Sequence, residues 1–228
     1  MNFYSDSNVL STDSFSYLDE GSRAYIYKDG DVLFKYYKGD CKYRYYISKK
    51  MFLRLKELNS MHIVKLYNLY YWSNKRYFGQ IFDGYTMAYC GERVSSILNL
   101  PTSYLLEMVH ELEQKTIIEL SKAHIVMSDT HYGNIYFTDN DVTIIDPDSF
   151  YIPLFCNYSE ALEENQRKLW EYLLSTFIHE LYDGYNYRRL CDFFDLIQFE
   201  SEKTLTLKFK KFFDGKTPME SIKKKNLL

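Results

Sequence analysis

Three oxygen-bearing side chains in the middle of the chain have the types and the spacing that phosphoryl transfer requires. Asp129 and Asn134 stand five residues apart, and Asp146 follows Asn134 by twelve residues. A carboxylate can act as a base toward a hydroxyl group at neutral pH, and Mg²⁺ prefers oxygen ligands together with substrate phosphates. The sequence therefore predicts one base and two metal ligands around a nucleoside triphosphate.

Two short strands are expected to position these residues. Ile135–Phe137 and residues 142–145 are apolar and flank the turn signal at 139–141, which predicts a tight hairpin. Asn134 and Asp146 stand at its two open ends. The pattern Asp-x-His-x-Gly-Asn alone is also typical of a polar turn, so the hairpin is what favours the functional interpretation.

The N-terminal part of the chain predicts a small sheet with one helix. Aromatic and β-branched segments at 15–21, 24–27 and 32–37, separated by glycine-containing turn signals, predict an antiparallel meander. Apolar residues at the helical period predict a helix over 45–58. Two further strand-like segments follow it, and they span residues 63–72 and 76–82.

Lys35 lies in the third predicted strand, on the same face as Leu33 and Tyr37. Its ammonium group is therefore expected among apolar neighbours. The strand alone does not distinguish a phosphate-binding lysine from one at a sheet edge that extends its charge into solvent.

Beyond Gly84 the pattern becomes mainly helical, with a long amphipathic stripe after Pro101 and a later helix at about 163–182. At 228 residues the chain fits one large domain or two small lobes. The predicted fold class is α+β, with a sheet lobe over 1–84 and a mainly helical lobe over 85–228.

The order of these elements and motifs resembles the protein-kinase-like superfamily over about residues 15–196. The motif that contains Asp129 is more similar to the aminoglycoside, choline and other atypical kinases than to the regulated Ser/Thr kinases. The resemblance implies a bilobal fold, with ATP and Mg²⁺ as cofactors. It also implies transfer of the γ-phosphoryl group to a hydroxyl acceptor, either a small molecule or one dedicated protein partner.

The resemblance further implies roles for individual residues. Asp129 would accept or orient the proton of the acceptor hydroxyl, and Asn134 and Asp146 would bind Mg²⁺. His131 would approach the transferred phosphoryl group, and Lys35 would hold the α- and β-phosphates of the nucleotide.

Weaker motifs are implied to contact the nucleotide. Gly21 and Ser22 stand where a glycine-rich phosphate loop is expected, although only one glycine is present there. Phe82 and Asp83 fall in the hinge segment whose backbone would meet the adenine edge, and Tyr136 would form the floor beneath the ring. Simple packing between the lobes is the open alternative for the last three residues.

Several residues depart from the superfamily pattern. Met51 stands where the helix glutamate that pairs with the strand lysine is expected, and Ser128 replaces the arginine before the catalytic Asp. Pro147 biases Asp146 toward an extended backbone. Trp170 stands where an Asp would anchor the catalytic loop. These departures favour the alternative of a catalytically silent pseudokinase that serves as a binding or scaffold module.

Composition and charge narrow the partners and the location. A formal net charge of −3 and a pI near 6.0 give no general basic field, which disfavours a nucleic-acid partner, and the C-terminal lysines are expected on solvated helix faces. No segment reaches the roughly 18 apolar residues needed to cross a bilayer. The cysteine spacing fits neither a disulfide ladder nor a metal site and predicts buried thiols in a cytoplasmic protein. The four cysteines are Cys41, Cys90, Cys156 and Cys191.

Overall fold

The chain forms two compact units, each built from more than one stretch of sequence. The computed structural model describes residues 2–6, 8–39, 47–72, 82–129, 132–181 and 205–225. The first unit comprises Met1–Asn59, Ile63–Gly91 and Asp146–Phe150, and the second comprises Ser60–His62, Glu92–Ile145 and Tyr151–Leu228. The first contains an antiparallel sheet and the second is mainly helical, which confirms the predicted α+β class.

The first unit begins with a small hairpin, followed by a five-stranded antiparallel sheet. The hairpin pairs β1 (Asn2–Tyr4) with β2 (Val9–Ser11). The sheet contains β3 (Ser16–Glu20), β4 (Ala24–Asp29), β5 (Val32–Tyr37), β6 (Leu66–Tyr70) and β7 (Gly84–Ala88), in the spatial order β3-β4-β5-β7-β6. The predicted meander is confirmed, and Gly30 in its second turn has a φ of 54°, which glycine adopts without steric strain.

Residues of β7 were expected to begin the helical region. The strand predicted over 76–82 lies almost wholly outside the described residues, whereas Gly84–Ala88 pairs with β5 on one side and β6 on the other. A central strand is buried on both faces, so Tyr85, Thr86 and Met87 lack the alternation that identifies a half-buried strand. The first unit therefore continues to Gly91, whereas the lobe boundary was predicted after Gly84.

Helix α1 (Lys49–Leu58) lies between β5 and β6 in the chain. Its N-cap is Ser48, whose Oγ accepts a hydrogen bond from the Met51 amide at 3.1 Å, and Asn59 ends it with a φ of 45°. The cap explains why the helix begins four residues later than the pattern predicted. Residues 45 and 46 lie outside the described part of the chain.

Helices make up most of the second unit. α2 (Thr102–Glu111) continues through a π-helical segment (Leu112–Ile117) into α3 (Ile118–Lys122), which confirms the long helix predicted after Pro101. The later helices are α4 (Tyr158–Leu181), α5 (Leu205–Phe212) and α6 (Pro218–Lys224). Among the helices that the structure describes, none is both long enough and apolar enough to span a membrane.

The predicted hairpin is present in the second unit. β8 (Ile135–Phe137) pairs with β9 (Val142–Ile144), and the Ile145 amide donates to the Asn134 carbonyl at 2.9 Å, which extends the ladder by one pair. Asn134 therefore stands at one open end of the hairpin.

The start of α4 is fixed by a reciprocal cap. The Asn157 side chain accepts from the Glu160 amide at 3.1 Å, and the Glu160 carboxylate accepts from the Asn157 amide at 3.0 Å. This pair starts the helix earlier than the predicted position near residue 163. One face of α4 is fully buried; it carries Ala161, Asn165, Leu169, Tyr172, Leu173 and Phe177.

Two of the four cysteines lie in the described residues. Cys90 and Cys156 form no disulfide with a described cysteine, and both are half-buried rather than buried as predicted, because each lies in a segment outside the helices and strands. Cys41 and Cys191 lie outside the described residues.

Candidate functional site

Lys35 lies in the interior of the sheet of the first unit. β5 is paired on both sides, and Lys35 stands opposite Ile26 of β4 and Tyr85 of β7. Only 6% of the residue is exposed. Lys35 is therefore not an edge-strand lysine that extends into solvent, and its buried charge requires a partner in the protein.

Two carboxylates supply that partner. The Lys35 Nζ lies 2.5 Å from Oδ1 of Asp146 and 2.9 Å from Oδ2 of Asp148. The Asp146 side chain remains partly exposed, whereas that of Asp148 is 3% exposed and accepts a hydrogen bond from the Tyr85 hydroxyl at 2.9 Å. The first unit thus joins two predicted site residues, Lys35 and Asp146.

The turn that carries the two carboxylates differs from the predicted one. Asp146 has a φ of 57° and a ψ of 61°, a left-handed conformation, so the expected extended backbone is wrong. Asp tolerates this conformation better than most residues, and the ion pair with Lys35 holds its side chain in place. Pro147–Ser149 then forms one 3₁₀ turn, closed by the Phe150 amide and the Pro147 carbonyl at 3.1 Å.

Two carboxylates share one ammonium group in this cluster. Burial opposes the charge of Lys35, but Asp148 and Asp146 together outweigh it and hold the pKa of Lys35 above its usual value. Burial, with a smaller effect from Asp146, also raises the pKa of Asp148 despite the attraction of Lys35. When both carboxylates are ionised, the cluster carries one excess negative charge, which favours the binding of a further cation.

Two tyrosine hydroxyls border the cluster. Burial, followed by the charge of Asp148, raises the pKa of Tyr85 and of Tyr37 well above the usual value. The Tyr37 hydroxyl also accepts a hydrogen bond from the Ile47 amide at 3.4 Å. Both phenols are therefore neutral donors at physiological pH.

Asp148 is a residue of the cluster to which the sequence analysis gave no role. It supplies the second counter-charge of Lys35, whereas Met51, at the position expected for a helix glutamate, is buried among apolar residues. The sequence did contain a signal. Two carboxylates flank Pro147 directly after an apolar strand, and only the first of them had been given a function.

Asp129 and Asn134 come together in the second unit. The Nδ2 of Asn134 donates to the Asp129 carbonyl at 2.9 Å, which leaves Oδ1 of Asn134 as the amide atom that suits a cation. Asp129 is exposed and has a φ of 51°, so it shares the left-handed backbone conformation of Asp146. His131 lies outside the described residues, so its role stays a prediction.

The segment before Asp129 is anchored by α4. Asn165, which is fully buried, accepts from the Met127 amide at 2.9 Å and donates to the Ile125 carbonyl at 2.8 Å. The Tyr172 hydroxyl donates to the Ser128 carbonyl at 3.1 Å. These bonds fix the backbone that leads into the Asp129 loop.

This anchor was not found in the sequence. The superfamily pattern pointed to Trp170 instead, and its indole packs on the ring of Phe209 with centroids 5.6 Å apart. Asn165 carried the missed signal, because an amide on the buried stripe of a helix requires hydrogen-bond partners.

Tyr136 lies in the middle of β8 and is half-buried. Its ring faces the guanidinium group of Arg93, with Cζ 6.0 Å from the ring centroid. Its predicted role beneath an adenine ring stays a prediction.

The turn at Gly21 and Ser22 is an exposed connection between β3 and β4. The Gly21 amide donates to the Ala24 carbonyl at 3.0 Å, and a Cβ at Gly21 would meet no atom within 4 Å. Nothing in the turn itself requires a glycine, so the structure gives the predicted phosphate loop no steric support.

The backbone of Asp83, predicted to meet the adenine edge, is taken up by the sheet. Its amide donates to the Tyr70 carbonyl and its carbonyl accepts from the Tyr37 amide, both at 2.8 Å, while its carboxylate accepts from the Trp72 amide at 2.7 Å. Phe82 is buried. The hinge prediction therefore needs correction for Asp83, because this segment leads directly into β7.

Mg²⁺ suits the donor atoms of these residues. Across the described ranges, no three Asp, Glu, His or Cys side chains lie close enough together to hold a metal ion. Protein sites for Mg²⁺, however, usually supply one or two carboxylates and leave the other positions to water and phosphates. The partly exposed Asp146 carboxylate of the first unit and Oδ1 of Asn134 of the second are each the kind of donor that such a site uses, and their joint role as Mg²⁺ ligands stays a prediction.

The fold and these residues define an α+β protein with a buried lysine–carboxylate cluster in one unit and an Asp–Asn loop in the other. Neither the protein-family models nor the curated proteins contain a match to this chain. The function is therefore inferred from the residues themselves.

Proposed function

We propose that the protein is an ATP- and Mg²⁺-dependent phosphotransferase with a bilobal protein-kinase-like fold, which transfers the γ-phosphoryl group to a hydroxyl acceptor. The ion pair between Lys35 and Asp146 carries this proposal. Their motifs assign these residues separately, one to nucleotide phosphates and the other to Mg²⁺. They stand 111 positions apart in the chain, yet their charged atoms lie 2.5 Å apart.

The topology of the first unit also supports the proposal. Lys35 stands in the third strand of the five-stranded sheet, α1 follows before the fourth strand, and the fifth strand inserts between the third and the fourth. The resemblance implied the same chain order of strands, one helix and two strands.

Each residue has a chemical task in this proposal. Lys35 neutralises charge on the α- and β-phosphates, and Asp146 and Asn134 hold Mg²⁺, which supplies further positive charge to the phosphates when bound. Asp129 orients the acceptor hydroxyl and accepts its proton, and His131 approaches the transferred group. The left-handed backbones of Asp129 and Asp146 support these roles, because sparsely populated conformations cluster at functional sites.

The acceptor is a small molecule or one dedicated protein partner. Only residues 147–157 separate Asp146 from α4, and this short segment leaves little surface for an extended peptide. The cysteine pattern supports a reducing, cytoplasmic environment for the reaction.

Replacing Asp129 by Asn tests the proposal. The change keeps the size of the side chain but removes the base, so turnover should fall about 100- to 10,000-fold. Phosphoryl transfer from ATP would be measured over a panel of hydroxyl acceptors. Asp139→Asn, in the exposed turn of the same hairpin, is the matched control and should leave turnover unchanged. Equal turnover of both variants would remove Asp129 from the mechanism.

The second candidate is a pseudokinase that serves as a binding module. It is favoured by Lys35, whose charge is already balanced by two carboxylates, and by the Gly21 turn, which shows no need for a glycine. A thermal-shift series with ATP, Mg²⁺ and both together separates the two candidates. Stabilisation by nucleotide without transfer to any acceptor favours the pseudokinase, because a ligand of the folded state raises its stability whether or not it reacts.

A further inference from the structure

Arg93 lies beside the Asp129 loop within the second unit. The Val94 amide donates to the Phe137 carbonyl at 2.9 Å, so the segment with Arg93 runs along the end of β8. The Arg93 Nη2 donates to the carbonyl of Tyr132, three residues after Asp129, at 3.2 Å. Arg93 therefore contacts the 3₁₀ turn (Tyr132–Asn134) that carries Asn134.

Within the described part of the chain, the guanidinium group of Arg93 contacts only neutral groups. These are the Tyr132 carbonyl and the face of the Tyr136 ring, and no carboxylate of a described residue lies within ion-pair distance. The side chain is half-buried. A guanidinium group has five N–H donors in a planar fork, so most of its hydrogen-bonding capacity remains for another ligand.

Arg167 of the same unit provides the contrast. Its guanidinium group forms ion pairs with both Glu164 and Glu171 along one face of α4. The positive charge of Arg167 is therefore balanced by carboxylates of the same helix. Arg93, by comparison, is partly removed from water and pairs with no carboxylate among the residues that the structure describes, which favours the binding of an anion.

A second ring stiffens the turn that Arg93 contacts. The Tyr132 ring stacks on the imidazole of His179, with centroids 3.5 Å apart and planes inclined by 8°. The carbonyl of Tyr132 is thus held from one side by Arg93 while its ring is held by α4. The anchor point for Arg93 is fixed before any ligand arrives.

We propose that Arg93 binds a phosphate group at a subsite next to the Asp129 loop. The choice of phosphate over another anion rests on the proposed function, whereas the anion site itself rests on Arg93 and its neighbours. The phosphate belongs either to the nucleotide or to a phosphorylated acceptor. The planar fork of the guanidinium group suits two oxygens of one phosphate.

The test measures binding of inorganic phosphate, pyrophosphate, AMP, ADP and adenosine by calorimetry to the full chain. Arg93→Met should weaken the phosphate-bearing probes about 10- to 100-fold and leave adenosine unchanged, because one charge-assisted contact is lost. Arg93→Lys should weaken them less, since it keeps the charge but loses the fork. Arg167→Met is the matched control and should bind every probe as the wild type does.

The outcomes separate the two sources of phosphate. Loss of inorganic phosphate and pyrophosphate binding indicates a site that recognises free phosphate groups, as a phosphorylated acceptor would supply. Loss confined to AMP and ADP indicates the phosphates of the nucleotide. Arg93→Met binding all probes as tightly as the wild type, or wild type binding no phosphate-bearing probe, would overturn the proposal. If Arg93→Met fails to fold, folded Arg93→Lys replaces it in the test. The proposal would then be overturned if Arg93→Lys bound phosphate as tightly as the wild type, or if Arg167→Met lost as much affinity as Arg93→Lys.

The subsite and the proposed phosphotransferase can fail separately. If Asp129→Asn leaves turnover unchanged while Arg93→Met binds phosphate more weakly, the catalytic assignment fails and the subsite stands. If Arg93→Met binds phosphate normally while Asp129→Asn lowers turnover, the subsite fails and the catalytic assignment stands.

Discussion

At the level of single residues, the Lys35 cluster joins three buried or partly buried charges in the first unit. One buried ammonium group contacts two carboxylates, and a buried phenol donates to one of them. Such groups are costly to bury separately, so removing one partner leaves another without compensation. This asymmetry makes the cluster testable through stability as well as through activity.

Lys35→Met should destabilise the protein by about 3–5 kcal/mol at neutral pH, because Asp148 would remain buried without its counter-charge. Chemical denaturation of both proteins measures the difference. Lys38→Met is the control, since Lys38 pairs with Glu20 at 3.3 Å and lies over the Tyr25 ring near the surface, and it should change stability by less than about 1 kcal/mol. If Lys35→Met and Lys38→Met lost the same free energy of unfolding, the ion pairs of Lys35 would contribute no more to folding than a surface pair.

Tyr85 should make the protein sensitive to alkaline pH. Burial keeps the pKa of Tyr85 above its ordinary value of 10.0, so above that pH the unfolded chain loses a proton that the folded chain retains. The contribution of this neutral phenol is complete below pH 10 and declines as the pH rises, by up to about 1.4 kcal/mol per pH unit for one proton. The raised pKa of Lys35 acts in the same direction above 10.5.

Tyr85→Phe should therefore have a shallower loss of stability with pH above 10 than the wild type. It also lacks the bond to Asp148, so its stability at pH 7 should be lower. Unfolding free energies between pH 8 and pH 11 would give both slopes. Parallel slopes would mean that Tyr85 does not retain its proton in the folded state.

Four of the residues predicted from the sequence contact one another in two pairs, although their functional roles stay predictions. Asp129 with Asn134, and Lys35 with Asp146, come together as pairs, each within one unit. Asp148 and Asn165 were not identified from the sequence, because their roles depend on the residues that surround them in the folded protein. A buried carboxylate and a buried amide become recognisable only when their partners in space are known.

At the level of elements, β7 shows why a central strand was hard to predict. Gly84 begins it opposite Tyr36, where a Cβ would lie 2.2 Å from the Lys35 carbonyl and 2.9 Å from Cε2 of Phe34. The sequence pattern suggested a boundary at this glycine. The structural requirement is instead the close approach of β5 to β7, which no local pattern reveals.

Gly84→Ala should destabilise the protein by about 1–3 kcal/mol, because the added methyl group forces the backbone of β5 to move. The shift would also displace Lys35, so nucleotide-induced stabilisation should weaken. Gly21→Ala is the matched control, since its Cβ meets nothing within 4 Å, and it should change stability by a few tenths of a kcal/mol. Thermal unfolding of both variants with and without ATP measures the two effects. Near-neutral stability of Gly84→Ala would contradict the close approach.

Elements with a clear apolar period or turn signal were easier to predict. The helical stripe after Pro101 and the hairpin around residues 138–141 are present as expected. The starts of α1 and α4 were displaced because Ser48 and Asn157 act as caps. Apolar periodicity alone does not identify such caps.

At the level of the whole chain, the first unit is completed by residues far along the sequence. Met1–Asn59 and Ile63–Gly91 form its main body, yet Asp146–Phe150 also belong to it and carry both counter-charges of Lys35. The sequence predicted lobes with one boundary. The sequence could not show that Asp146–Phe150 belong to the first unit, because that depends on contacts between residues far apart in the chain.

In a fragment of residues 1–91, Lys35→Met should change the stability in the opposite direction to its change in the full chain. Without Asp146 and Asp148 the lysine is buried with neither carboxylate, so its replacement by Met should stabilise the fragment while it destabilises the full chain. Circular dichroism during denaturation of the four proteins would show the sign of each change. The same sign in both contexts would contradict the contribution of Asp146–Phe150 to the first unit.

The source of the lysine's counter-charges also bears on inhibition. Both come from Asp146 and Asp148, and Met51 of α1 contributes no charge to the pair. In enzymes whose lysine pairs with a helix glutamate, moving that helix breaks the pair and switches the enzyme off. Under the proposed phosphotransferase function, a compound that moves α1 outward would leave this pair intact, so we expect inhibitors to act at the Pro147 turn instead.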